Sequence, residues 1–267
     1  MMRSYLYSIY AKFFARPFFE EWNKFLFHLG LRGLGILNFK DFRQSGEKFL
    51  VEDILHEYVT DESPLFLDAG ANVGDYSRTL LQSFPGANIE AFEPNPKNFE
   101  QLSMIENERL HTHQLGLGSS EGESILFERA DRNGSPHASI HQDVITDIHQ
   151  QDVLEYEVEI TTLDRFLKEN NLDFVDFLKI DTEGNELEVL KGGKEALDRE
   201  KIGLIVFEFN EMNVVSRAFM KDFRDLLEDY LFFRLLPGGL IRVPDNPVES
   251  EIFAFQNILA IPERFLD

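Results

Sequence analysis

Leu65-Phe66-Leu67-Asp68-Ala69-Gly70-Ala71-Asn72-Val73-Gly74-Asp75, followed by Asn88-Ile89-Glu90-Ala91-Phe92-Glu93, is the stretch whose reading decides the fold. A short apolar run ends in an acid and opens into a turn holding two glycines. A helix-like segment from about Asp75 to Ser83 follows, Pro85-Gly86 closes it, and a second apolar run again ends in an acid. Strand, glycine turn, helix and strand in that order make a parallel βαβ unit. Pro94-Asn95-Pro96 then opens another helix, with Asn95 placed to cap it and Pro96 at its first position.

The same alternation extends outward. A third strand is expected over residues 111–117, alternation resumes at 156–160, and Thr162 begins a helix. Residues 174–181 read as a fourth core strand with a helix after Gly184, and 204–209 is the near-continuous apolar run of a buried parallel strand. Strands near 232–236 and 252–260 complete the count. The expected fold is α/β: a Rossmann-like seven-stranded sheet with helices on both faces over residues 46–267, preceded by a helical segment at 1–45. Residues 129–150 are turn-rich and show no firm period, so they read as a long loop on the substrate side.

Bulk numbers bound the function. A chain of 267 residues with 43% hydrophobic content and 26 Phe suits one large packed α/β domain. Its net charge of -22 opposes binding to phosphate backbones, which excludes a nucleic-acid substrate. The charge is uneven, since residues 1–50 hold eight Lys/Arg against four Asp/Glu. Without cysteine there is no disulfide, thiolate metal site or cysteine nucleophile. No run of 18 apolar residues exists, and the apolar start is broken by Lys12 and Arg16 without a cleavage site, so a cytoplasmic location is expected.

In an open parallel sheet the ligand crevice lies beyond the carboxyl ends of the strands, where strand order reverses. Asp68 and Glu93 sit at such ends. Gly70 and Gly74 let the backbone turn sharply and approach a ligand. Asp68 is then placed to pair with a cationic amine and Glu93 to accept both hydroxyls of a ribose; Asn72, Tyr76, Ser77, Pro94 and Asn95 complete the candidate binding set. A dinucleotide site needs glycines where Asn72 and Asp75 stand, and the acids would repel its pyrophosphate. S-adenosylmethionine, with an ammonium, a sulfonium and a ribose but no phosphate, suits them. The competing reading is a turn whose glycines serve only packing.

Three stretches, residues 66–74, 91–96 and 178–186, stand in order, with Thr162-Leu163-Asp164 and Asn257 around them. Together they resemble the FkbM family of S-adenosylmethionine-dependent methyltransferases, over roughly residues 46–262. The resemblance implies a seven-stranded methyltransferase fold and O-methylation of a sugar, glycan, glycolipid or natural product. Acceptor choice is expected to reside in the loop 129–150 and the segment before Ser45. A dinucleotide-dependent oxidoreductase and a catalytically silent binding module are the competing functions.

Methyl transfer to oxygen is an in-line displacement, so the protein must align the acceptor and take or polarise its proton. Asp181, at the end of the fourth strand, is the first candidate, and Glu183 in the following turn either assists or caps the next helix. Lys179 alternates onto the same strand face and reads as the partner of Asp181. Glu208 and Asn210 end the neighbouring strand, and Asp181 with Glu208 forms a candidate Mg²⁺ pair. His137 and His141 flank the substrate loop, as bases or as solvated loop histidines. In the first segment, Phe13, Phe14, Phe18, Phe19 and Trp22 lie beside Lys12, Arg16 and Lys24. Residues 1–35 therefore pack on the sheet, join another copy of the chain, or lie on a membrane surface.

Overall fold

The computed structural model describes residues 2–129, 138–140 and 153–266. Along the chain, β1 (Leu65–Ala69), β2 (Asn88–Phe92) and β3 (Leu110–His113) alternate with helices Asp75–Ser83 and Pro96–Ser103. Next come β4 (Gly116–Leu117), β5 (Gly122–Arg129), β6 (Ala138–Ser139) and β7 (Val153–Thr161). Helix Leu163–Glu169 leads to β8 (Val175–Ile180) and β9 (Ile202–Phe209), and β10 (Tyr230–Leu236), β11 (Gly239–Arg242) and β12 (Gln256–Pro262) follow.

The main sheet runs β11-β10-β12-β9-β8-β1-β2-β3. The pairings from β3 to β9 are parallel, and β12 enters antiparallel between β9 and β10. The chain winds outward from β1 through β2 and β3, then starts again on the other side of β1 with β8. Strand order therefore reverses between β1 and β8, the place where such sheets hold ligands.

This is the expected α/β architecture with eight strands rather than seven. The added strand, β11, forms a hairpin with β10 and is four residues long, too short for a sequence period to show. The strand anticipated over 111–117 splits in two: β3 stays in the main sheet, while β4 joins a second sheet ordered β4-β7-β5-β6.

Two apolar cores fill the two faces of the main sheet. Leu67, Ala69, Leu178, Ile180, Phe207 and Phe209 face the helices that include Leu163–Glu169 and Met220–Leu226. Phe66, Ala91, Phe177, Leu204, Val206 and Leu259 face the opposite layer, built on residues 47–58 and Asp75–Ser83. On this second face the period-2 alternation carries each strand from apolar residues into polar ones at its end: Asp68 after Phe66, Lys179 and Asp181 after Phe177, Glu208 after Val206. Residues 34–46 pack on the same body. Ile36 is fully buried, Leu37 N–H donates to the Phe255 carbonyl at 2.8 Å, and a Cβ on Gly46 would strike Leu235. Helices Met2–Phe14 and Glu20–Gly33 precede this packed stretch.

Candidate active site

The ends of β1, β2, β8 and β9 open on a cavity of about 550 Å³ whose wall includes Gly70, Asn72, Glu93, Pro94, Asp181 and Glu208. A smaller pocket of about 250 Å³ shares Phe39, Asp181, Glu208 and Phe255 with it and adds Ser45, Glu47, Lys179 and Asn257.

The β1 turn explains why the ends meet. Gly70 (φ 82°) and Asn72 (φ 51°) are left-handed, and a Cβ on Gly70 would lie 1.8 Å from the Asp181 carbonyl oxygen. Only glycine lets the β1 turn run against the end of β8, and the Asp181 N–H closes the contact by donating to the Ala69 carbonyl at 2.9 Å. Gly74 (φ 86°) is left-handed too, at the N-cap of helix Asp75–Ser83, and a Cβ there would also meet the Ile105 and Leu102 side chains at 2.4 and 2.8 Å.

Glu93 follows β2 with 6% exposure. Its Oε2 accepts the Asn72 N–H and its Oε1 the Asn95 N–H, both at 2.8 Å. Burial raises its carboxyl to about 7, with the Asn95 and Asn72 N–H bonds pulling the other way. Each oxygen engages one backbone donor, so the ionised carboxylate keeps acceptor capacity for a diol. Asn95 caps helix Pro96–Ser103 through Oδ1, which accepts the Lys97 N–H at 3.0 Å, while its Nδ2 is buried without a partner.

Asp68 lies beneath the β1 turn, in a buried charge network. Its side chain is fully buried just inside the cavity wall, and its Oδ1 accepts no hydrogen bond among the described residues. Ser77 Oγ donates to its Oδ2 at 2.7 Å, and Lys179 Nζ lies 3.6 Å from its Oδ1. Lys179 also donates to Asp181 Oδ2 at 3.1 Å and sits 5.0 Å above the Tyr76 ring. Burial lowers the affinity of Lys179 for its proton, but Asp181, Asp68 and Glu47 outweigh it and raise it above the ordinary lysine range. Tyr76 and Ser77 thus hold the charge network behind the wall, and Lys179 is the partner of Asp181 that strand alternation anticipated.

Glu183 (φ 56°) lines the cavity, and its backbone carbonyl accepts Ser139 Oγ at 2.7 Å, tying β6 to the Asp181 turn. The turn itself is organised by Glu186, whose Oε1 accepts the N–H groups of Thr182 and Gly184 at 2.9 and 3.1 Å. Sequence reading missed this residue, although an acid four positions after the threonine was the available signal. It also missed Leu37, Phe39, Glu47 and Phe255, which carry no motif. His137 and His141 lie outside the described residues.

A divalent ion between Asp181 and Glu208 does not fit this donor set. Asp181 already faces the Lys179 ammonium, which would repel a dication. Glu208 accepts a short hydrogen bond from the Asn210 amide, and burial with the nearby charges of Asp181 and Glu183 pushes its carboxyl well above the ordinary range, favouring the neutral form. Among the described residues no group of three or more His, Asp or Glu side chains converges as a metal site.

The model of the methyltransferase FkbM domain matches residues 68–233, more than half the chain, and the protein belongs to this family. It is an S-adenosylmethionine-dependent methyltransferase. Methyltransferase 1 of Beauveria bassiana is 29% identical over 180 residues, covering 59% of this chain and 70% of that protein. The 2-O-methyltransferase NoeI of Sinorhizobium fredii is 26% identical over 191 residues, 66% of this chain and 76% of that one. The hexuronic acid methyltransferase AglP of Haloferax volcanii is 29% identical over 180 residues, 66% of each chain. No helix among the described residues is long and apolar enough to cross a membrane.

Proposed function

We propose that this enzyme methylates a hydroxyl oxygen of a sugar or glycan without a metal ion, with Asp181 as the proton acceptor. The observation that carries the reading is the placement of Asp181: at the strand-order reversal, on the wall of the cavity that Glu93 also lines, and fixed by Lys179 at 3.1 Å. Among similar proteins, a 2-O-methyltransferase supports transfer to oxygen and a hexuronic acid methyltransferase supports a sugar acceptor.

S-adenosylmethionine, when bound, supplies an electrophilic methyl on a sulfonium that departs as a neutral thioether. Glu93 would accept the ribose hydroxyls, with the Gly70-to-Asn72 backbone beside it. Lys179 holds the Asp181 carboxylate in one orientation at the cavity edge. Asp181 takes the acceptor hydroxyl proton as the oxygen forms its bond to carbon, so charge balances: a cation and a carboxylate give a thioether and a carboxylic acid. Phe39 and Phe255, packed edge to face at 5.8 Å on the cavity wall, offer apolar surface against which a sugar ring can rest. The segment before Ser45 would contribute to acceptor choice through Phe39.

A screen of oligosaccharides, glycolipids and nucleotide sugars with methyl-labelled cofactor tests this. Label on a sugar hydroxyl, with turnover indifferent to EDTA, is the expected result. EDTA-sensitive turnover restored by Mg²⁺ would replace the proton-acceptor role with a metal one.

A further inference from the structure

Residues 2–33 form a helical hairpin of Met2–Phe14 and Glu20–Gly33 joined through the turn Pro17–Phe19. The hairpin is held mainly to itself. Tyr10 Oη donates to Asn23 Oδ1 at 2.7 Å, Asn23 Nδ2 to the Phe14 carbonyl at 3.0 Å, and the Tyr10 and Phe14 rings stack at 4.8 Å. Leu31 is its one buried side chain among those described.

What remains exposed is apolar and ordered. In the first helix Met2, Tyr5, Leu6, Ile9 and Phe13 recur at helical spacing, and in the second Trp22, Phe25, Leu26 and Leu29 do the same. Tyr5 is 68% exposed, Phe13 54%, Trp22 49% and Phe25 53%. A stripe with the period of a buried helix face that stays exposed among the described residues marks an interaction surface.

The charge pattern says which. The hairpin carries Arg3, Lys12, Arg16, Lys24 and Arg32 against Glu20 and Glu21, a surplus of positive charge on a chain of net -22. Lys24 pairs with Glu20 and Glu21 at 2.6 and 3.0 Å and Arg32 donates to the Leu37 carbonyl at 2.8 Å, while Lys12 and Arg16 form no ion pair among the described residues. Pairing two hairpins would set one positive surplus against another. Anionic lipid headgroups instead meet the hairpin's own cations, while repulsion from the acidic body is screened beyond about 8 Å at physiological salt. Helices with Trp, Phe and Leu on one face and Lys and Arg on the other lie in the plane of a bilayer surface.

We propose that the hairpin of residues 2–33 docks the enzyme on an anionic lipid surface, its two apolar stripes lying among the acyl-chain ends of the headgroup region. The chain passes from this hairpin to Leu37 and Phe39, on the wall of the active-site cavity, within six residues of Gly33. Docking therefore brings the cavity mouth close to the lipid headgroups.

The full chain has one tryptophan, Trp22 on the exposed stripe, so its emission reports the hairpin alone. Flotation with vesicles of phosphatidylcholine and phosphatidylglycerol should carry the protein upward and shift Trp22 emission to the blue. Pure phosphatidylcholine should do so at least about tenfold less well, and high salt should weaken the anionic case. The triple variant Leu6→Gln, Phe13→Gln, Phe25→Gln touches no buried position and should lose at least about tenfold in partitioning while binding S-adenosylhomocysteine as before. Absence of flotation with unshifted emission, equal binding to neutral vesicles, or a variant that floats like the parent would each overturn the proposal. So would a blue shift that appears without vesicles as the chain dimerises in sedimentation, which assigns the surface to a second copy.

Discussion

Glu93 connects the cavity to pH. Burial lifts its carboxyl from the usual 4.5 to about 7, against two backbone N–H bonds that favour the anion. A ribose diol donates to the charged form, so only the ionised enzyme binds cofactor well. With a carboxyl at about 7, roughly nine-tenths is protonated near pH 6 and roughly one-tenth near pH 8. Affinity for S-adenosylhomocysteine should therefore rise about tenfold across that range, equivalent to about 1.4 kcal/mol. Calorimetry in buffers of different ionisation enthalpy should show proton release near neutral pH. Glu93→Gln should weaken binding by about 1.5–3 kcal/mol and flatten the pH dependence, because the charged acceptor is gone and its amide would face a backbone N–H. The sign for the unliganded chain is opposite: a raised carboxyl stabilises the fold below the usual 4.5 and that contribution is lost as pH climbs through about 7. A parent enzyme whose affinity is flat between about pH 6 and about pH 8 would refute this reasoning and move the ribose contact elsewhere.

Lys179→Met removes the cation beside the fully buried Asp68 and should cost about 3–5 kcal/mol, read as a Tm fall on the order of 10 °C, with Asp68→Asn in the same chain recovering part of it. Asp181→Asn keeps shape and removes charge; S-adenosylhomocysteine should still bind in calorimetry while turnover falls at least about a hundredfold. Phe39→Ala, at a position 61% exposed, should raise the acceptor KM about three- to tenfold and leave cofactor affinity unchanged.

The parts of this protein legible in its sequence are those written in local chemistry. Apolar runs ending in acids placed β1, β2 and β8, and Pro96 after Asn95 placed a capped helix, because period and capping act over a few residues. The pairing of Lys179 with Asp181 followed from strand alternation alone. The surroundings of Asp68 were not legible, because an acid at a strand end looks the same whatever packs around it, and the lysine 3.6 Å away stands 111 residues further along the chain. Glu47, Phe39 and Phe255 reach the same pockets from opposite ends of the chain, and long-range packing of that kind leaves no spacing to read. Glu208 is recognisable as a strand-end acid, but the pressure toward its neutral form comes from burial and from Asp181 and Glu183 around it.

The most direct test of the account is the position of the transferred methyl. With methyl-labelled S-adenosylmethionine and a panel of glycans, nuclear magnetic resonance of the product should place the label on a single sugar hydroxyl oxygen, with one S-adenosylhomocysteine formed per methyl and loss of the signal in Asp181→Asn. A label on nitrogen or carbon, or full transfer by Asp181→Asn, would contradict it.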